Sequence, residues 1–254
     1  MVKPKISAVI AAAGSSSRMN MNPEEGGEGG DGREGGSKQF IEIGGKPVIY
    51  RTLEVFEASG YISEIIIAAR RCDIGRLEKL AGGFSKIKSI TEGGETRLES
   101  VAEAVRRVSQ SAEYIAVHDG ARCFVRLEDI EKVALCAFKT GAAAAGCRVY
   151  DTVKRIEGGR SGNDDDNGGR IAETLPRGSL RTVQTPQIFL KELYLSALEN
   201  ADTNAPDDCY ILERAGYKVT VAECSRYNIK ITDAEDLKFL SMLHNLSDLS
   251  GGVK

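Results

Sequence analysis

Short apolar runs recur along the chain, each followed by a polar loop and then by a segment with helical spacing. The runs fall at Ile6–Ala12 and at residues 64–69, 86–90, 114–118, 142–149 and 218–221. Apolar positions three and four apart mark helices over residues 47–59, 74–80, 96–108, 127–140 and 190–200. Strands alternating with helices predict βαβ units and a mostly parallel sheet. The runs are nearly continuous in apolar character rather than alternating, as expected of strands covered on both faces. The fold class is α/β.

Two stretches break the rhythm. Residues 24–36 (EEGGEGGDGREGG) hold almost no apolar side chain and cannot offset their ordering entropy, which predicts a mobile loop. Between residues 150 and 183 two strand-like pieces, YDTVKRI and IAETLPR, flank a glycine–aspartate tract. Strand, polar turn, strand is a hairpin pattern, read here as an arm leaving the main body and suited to an oligomer contact. Asp164, Asp165 and Asp166 within that tract are read as solvated, since bare acidic runs in glycine-rich loops need no ligand. With 254 residues, the chain is expected to form one domain over 1–254 that includes this loop and this arm.

The net charge of −3, with scattered basic residues, gives no drive toward nucleic acid or an anionic membrane. No run approaches the roughly 18 apolar residues of a membrane span. The opening MVKPKISAVIAAAG lacks a secretory layout, so a cytoplasmic location with reduced thiols is expected. None of the six cysteines (Cys72, Cys123, Cys136, Cys147, Cys209, Cys224) has zinc-ribbon or thioredoxin-like spacing.

In an α/β sheet of this kind ligands gather beyond the carboxyl ends of the strands. After the first strand comes AAAGSSSRM. Its backbone N–H groups suit a phosphate cradle, with Arg18 adding a forked cation, although glycine and serine there also suit an ordinary turn. The loop is neither GxxxxGK[ST] nor GxGxxG, which removes an ordinary P-loop and a dinucleotide-dependent oxidoreductase. Lys38 follows the glycine-rich loop, and Pro47 marks a helix start. Gly93 and Gly94 open a second loop, where backbone groups and Ser100 suit the edge of a flat base, or where Thr96 simply caps a helix. The loop His118-Asp119-Gly120-Ala121-Arg122 places a carboxylate just past a buried strand, as a hard cation such as Mg²⁺ prefers, with Arg122 suited to a second phosphate. His118 is read as a structural, hydrogen-bonded histidine, because an already ionised phosphate needs no base. Asp151, Thr152, Lys154 and Arg177 in the arm offer groups for another anion, and Lys230 sits in a strand-like loop near the C-terminus.

Taken in order, AAAGSSSRM, KQF, GKPVIYRTLEVF, GG-x-x-R-x-x-SV, HDGAR, DTVK, TVQTPQIF and YNIKIT resemble the 2-C-methyl-D-erythritol 4-phosphate cytidylyltransferases, over about residues 6 to 240. The resemblance implies a Rossmann-like, glycosyltransferase-A-like nucleotidyltransferase domain with a seven-stranded twisted sheet and a β-arm that interlocks two subunits. It implies CTP and methylerythritol phosphate as substrates, the CDP-linked product and pyrophosphate as products, Mg²⁺ as cofactor, and a place in non-mevalonate isoprenoid synthesis. Carried over, Ala12, Ala13, Gly14, Gly94, Glu95 and Ser100 would read cytosine, while Arg18, Lys38 and Lys230 would bind the triphosphate. Asp119 would bind Mg²⁺. Arg122, Asp151, Thr152, Arg177 and Thr185 would hold methylerythritol phosphate, some of them across a homodimer.

The chain departs from that pattern in places. The stretch between Arg18 and Lys38 is longer than usual, with Ser37 where proline is typical; Gly120 and Cys123 stand within what is often HDAARP; and Pro206-Asp207-Asp208 stands where a TD-containing segment is usual. Pro206 receives no site role. A ribitol 5-phosphate cytidylyltransferase shares several of these motifs but usually opens with LAGG where AAAG stands here. A catalytically silent nucleotide-binding relative would often lack one of Arg18, Lys38, Asp119 and Lys230.

Overall fold

The computed structural model describes residues 3–14, 37–157 and 169–249. The expected glycine-rich loop at 24–36, the acidic run at 164–166 and Arg18 lie outside the described residues. The chain opens with β1 (Ile6–Ala12) and resumes with the two short strands β2 (Glu42–Ile43) and β3 (Lys46–Pro47). There follow α1 (Val48–Ala58), β4 (Ile62–Ala69), α2 (Ile74–Ala81), β5 (Ile87–Glu92), α3 (Arg97–Val105) and β6 (Tyr114–Asp119). Next come α4 (Leu127–Thr140), β7 (Ala142–Arg148), β8 (Lys154–Glu157), β9 (Arg170–Thr174) and β10 (Arg181–Leu190). The chain ends with α5 (Lys191–Leu198), α6 (Asp208–Arg214), β11 (Thr220–Glu223) and α7 (Ala234–Leu249).

Seven strands form one sheet in the order β11-β7-β10-β6-β1-β4-β5. All neighbours run parallel except β10, which is antiparallel to both β6 and β7. The expected α/β class and mostly parallel sheet are therefore present. Alternation along β1 shows how the sheet divides its burial. Ile6, Ala8, Ile10 and Ala12 face a core built with Leu53 and Phe56 of α1 and Ile130, Val133 and Ala137 of α4. Val9 faces the other side, where Leu98 and Val101 of α3, Tyr194 of α5 and Leu212 of α6 pack. A smaller cluster of Ile43, Val48, Ala121, Cys123, Ile231 and Leu240 seats α7 beside the loop after β6.

Two elements went unanticipated. β10 carries Pro186 in its interior, and proline argues against a central strand because it donates no ladder bond. The pairing with β7 accommodates it by an irregularity between Val183 and Gln187. α6 is short, but its start was written in the sequence: Asp207 caps it by accepting from the Tyr210 N–H at 2.9 Å, and Gly216 (φ +86°) follows its end. α3 is shorter than expected and stops at Val105.

The arm forms as the β8–β9 hairpin, antiparallel, with every residue of both strands exposed. α3 begins with a full capping box, in which the Thr96 hydroxyl accepts from the Glu99 N–H and Glu99 accepts from the Thr96 N–H. Thr96→Ala is expected to lower unfolding stability by about 1 kcal/mol, read as a lower urea midpoint at unchanged slope.

Candidate active site

The loops after β5 and β6 and the segment before α7 meet around one buried carboxylate, with Thr185 of β10 beside it. Asp119 ends β6, at the centre of the sheet. Its Oδ1 accepts from Arg97 Nε at 3.1 Å, and its Oδ2 faces Arg122 Nε and Lys230 Nζ, each at 3.1 Å. Burial alone would raise the Asp119 carboxyl pKa, but Arg97, then Lys230 and Arg122, hold it well below the usual carboxylate range. The three cations come from three distinct parts of the chain, so each is delivered by a different piece of the fold.

Behind Asp119 lies a hydrogen-bonded chain that fixes the loop. The Thr185 hydroxyl accepts from the Asp119 N–H at 3.0 Å and so donates its own proton to His118 Nδ1 at 3.1 Å. That leaves His118 Nε2–H to donate to the Arg122 carbonyl at 3.3 Å. His118 is fully buried, as the structural reading of it requires. Asn228 donates to the Thr185 carbonyl, and Arg122 donates to the Asn228 carbonyl. Lys38 Nζ donates to the Ile231 carbonyl at 2.9 Å, which brings the residue after the first loop against the segment carrying Lys230.

Two clefts open on either side of Asp119. One, of about 300 Å³, is lined by Ala13, Gly14, Lys38, Gly94, Glu95 and Ser100 among others. The glycines permit it: a Cβ on Gly93 would lie 2.5 Å from the Ala13 Cβ, and one on Gly94 would lie 2.4 Å from the Glu99 Cβ. The second cleft, of about 380 Å³, is lined by Arg122, Gln184, Thr185, Gln187, Asp207 and Tyr210 among others. Arg97, Asp119 and Lys230 belong to both and form the wall between them.

The structure thus brings together Ala13, Gly14, Lys38, Gly94, Glu95, Ser100, Asp119, Arg122, Thr185 and Lys230. Ala12 does not join them: strand alternation turns its side chain into the core, and Ala11 lines the cleft instead. The Ser100 hydroxyl donates to the Thr96 carbonyl at 2.8 Å, so toward a base it presents its oxygen as an acceptor. Asp151, Thr152 and Arg177 stay with the arm, exposed and outside both clefts, and Arg177 donates to the Tyr150 carbonyl. Gly120 is held by bonds from its N–H to the Ala11 carbonyl and from the Thr52 hydroxyl to its own carbonyl, rather than loosening the loop. Cys123 is buried, and burial pushes its thiol up to about 12. Pro206, given no role from sequence, lines the second cleft.

Arg97 is the residue that sequence reasoning passed over. It stands in the GG-x-x-R motif, directly after the Thr96 cap, and that position at a helix start facing the loop after β6 was the available signal. Its Nη1 donates to the fully buried Asp208 at 2.7 Å. Burial would lower the Arg97 pKa, but the carboxylates of Asp208 and Asp119 raise it above its ordinary value.

Among the described residues, no three His, Cys, Asp or Glu side chains gather as a metal cage. Magnesium needs none, since it takes one or two carboxylates and completes its shell with water and phosphate oxygens. Asp119 Oδ1 accepts one N–H from the described residues and has a second lone pair, which fits such a single ligand.

Burial pushes the His118 pKa down to about 3, so the folded protein keeps it neutral. The unfolded chain gains that proton near pH 6.5. Stability is therefore whole above pH about 6.5 and is lost as pH falls, at up to about 1.4 kcal/mol per pH unit. The depressed carboxyl of Asp119 adds its own loss only below the ordinary carboxylate pKa. Urea midpoints are expected to agree at pH 7 and 8 and to drop by pH 5. Equal midpoints at pH 7 and 5 would show that unfolding takes up no proton in that window.

The 2-C-methyl-D-erythritol 4-phosphate cytidylyltransferase family model matches residues 6–243. A protein of that name from Pelodictyon phaeoclathratiforme is 39% identical, with 91% of this chain and 93% of that protein covered. One from Halalkalibacterium halodurans is 38% identical, with 92% and 94% covered. Among solved structures, the 4-diphosphocytidyl-2C-methyl-D-erythritol synthase of Anaerococcus prevotii superposes with a TM-score of 0.78 at 29% identity, covering 95% of this chain and 96% of that one. The cytidylyltransferase of Thermus thermophilus gives 0.68 at 27% identity, covering 95% and 99%. This chain belongs to the 2-C-methyl-D-erythritol 4-phosphate cytidylyltransferase family.

Proposed function

We propose that the protein transfers the CMP moiety of CTP to 2-C-methyl-D-erythritol 4-phosphate, releasing pyrophosphate, as a magnesium-dependent cytoplasmic homodimer. The observation that carries this reading is the pair of clefts sharing a wall of Arg97, Asp119 and Lys230. CTP occupies the cleft of Gly14, Gly94 and Ser100, and the acceptor occupies the cleft of Arg122 and Thr185. A phosphate oxygen of the acceptor then attacks the α-phosphorus from one side, and the bond to pyrophosphate breaks on the other.

Negative charge grows on the α-phosphoryl oxygens and on the leaving pyrophosphate, so the work of catalysis is orientation and cationic stabilisation. Lys38 and Lys230, with Arg18, supply that charge to the triphosphate, and Arg122 holds the acceptor phosphate. Asp119 would hold Mg²⁺, which when bound neutralises phosphate oxygens and orients the triphosphate. No general base is needed, which agrees with a buried, neutral His118.

The arm supports the dimer. A two-stranded hairpin exposed on both faces is marginal in water, so burial against a second subunit would stabilise it. It would also give Asp151, Thr152 and Arg177 an acceptor phosphate to meet in the partner's cleft. Family membership and the AAAG opening favour methylerythritol phosphate over ribitol 5-phosphate. Lys38, Asp119 and Lys230, brought to one cleft, argue against a silent relative. Among the described residues no helix is long and apolar enough to cross a membrane.

Pyrophosphate release with CTP is expected with methylerythritol phosphate and Mg²⁺, and to be abolished by a chelator. Equal or faster release with ribitol 5-phosphate would reassign the acceptor. Lys38→Ala, if folded, is expected to lose on the order of 3 kcal/mol of transition-state stabilisation, about a hundredfold in turnover. Near-normal turnover would remove Lys38 from the machinery.

A further inference from the structure

The three cations around Asp119 are not equivalent. Arg122 and Lys230 each reach a single carboxylate, on the Oδ2 side. Arg97 bridges two, giving Nε to Asp119 Oδ1 and Nη1 to Asp208 Oδ2. Asp208 is fully buried, and its other oxygen accepts from the Tyr194 hydroxyl at 2.5 Å. Tyr194 is itself fully buried and stacked on Phe189 of β10, with ring centroids 5.1 Å apart. Among the described residues no other cation touches Asp208.

We propose that Arg97 is a positioning residue: it stays on Asp119 while Arg122 and Lys230 leave Oδ2 for substrate phosphates, and so keeps Asp119 in one orientation through turnover. The inference rests on the reading above that Arg122 and Lys230 bind phosphate. Asp119 Oδ2 keeps both cations aimed at the wall between the clefts. Once they transfer, a Mg²⁺ on Asp119 would supply charge, but the carboxylate still needs a protein group that fixes its direction. Arg97 is that group and cannot follow the others, because leaving would strand Asp208 in the core. A lysine would keep the charge but not the two-carboxylate fork.

The test is arginine Nε–Hε NMR on the full-length ¹⁵N-labelled protein, titrated without added Mg²⁺ first with CTP and then with 2-C-methyl-D-erythritol 4-phosphate. The Arg97 signal is assigned by its loss in Arg97→Lys and the Arg122 signal by its loss in Arg122→Lys. The Arg122 signal is expected to shift when methylerythritol phosphate is added, while the Arg97 signal stays in place with either ligand. Arg97 moving as far as Arg122 would make it a phosphate ligand and overturn the proposal. An Arg122 signal indifferent to methylerythritol phosphate, in a protein that releases no pyrophosphate, would overturn the underlying reading and this inference with it.

Kinetics give a second arm. Arg97→Lys is expected to lower kcat by about 10–100-fold, as for supporting residues behind a ligand, with both KM values nearly unchanged. Asp208→Asn should lower kcat in the same direction, and the double variant should lose no more than Arg97→Lys alone. A lower Tm with unchanged kcat would make the bridge purely structural. A rise confined to KM would make Arg97 a direct substrate contact.

Discussion

A carboxylate buried at the tip of a central strand is costly unless opposite charge surrounds it. Asp119 is such a group, and the architecture around it reads as the means of keeping it ionised. β6 sits between β1 and β10 in the sheet. The loop after β5 delivers Arg97, the loop after β6 delivers Arg122, and the segment before α7 delivers Lys230. β10 delivers Thr185, whose hydroxyl pins the Asp119 backbone. The site exists because the sheet brings these chain segments to one edge, and the same charges that make Asp119 tolerable are the ones an anionic substrate would recruit.

The fold was legible where the sequence obeys simple periodicity. β1, α4 and β7 fall where continuous apolar runs and three-to-four spacing put them, with Gly141 (φ +83°) closing α4 as a left-handed cap. It was illegible where tertiary context overrides a local signal. Pro186 hid β10, although that strand divides the parallel sheet and carries Thr185. α6 was hidden by its seven-residue length, too short for periodicity to declare itself. The consequence reached the site: without α6, neither Asp208 nor Pro206 could be given a place, and the buried partner of Arg97 stayed out of view.

For the site itself, loops that follow strands proved a sound guide, because the sheet fixes where strands end. Asp119, Arg122, Lys38 and Lys230 all converge as their loop positions suggested. What a linear reading misses is side-chain direction and partner choice. Ala12 belongs to the same loop as Ala13 and Gly14, yet period-two alternation sends it into the core. Asp151, Thr152 and Arg177 carry suitable chemistry but lie on an arm that reaches neither cleft of its own chain.

The two clefts give the charge arrangement its meaning. A nucleotide cleft alone would need cations; an acceptor cleft alone would need cations as well. Placing one carboxylate in the shared wall lets a single group hold cations for both before either ligand arrives. Like-charged side chains crowded without it would repel and turn toward solvent, and their positions would have to be recovered at each turnover. With it, on the proposed reading, Arg122 and Lys230 are pre-placed, and the reorganisation left for binding is a short transfer from carboxylate to phosphate. That is electrostatic preorganisation in the sense that matters for phosphoryl chemistry, where orientation and charge replace covalent catalysis. The buried Arg97–Asp208–Tyr194 chain is what allows the transfer to occur without Asp119 itself moving.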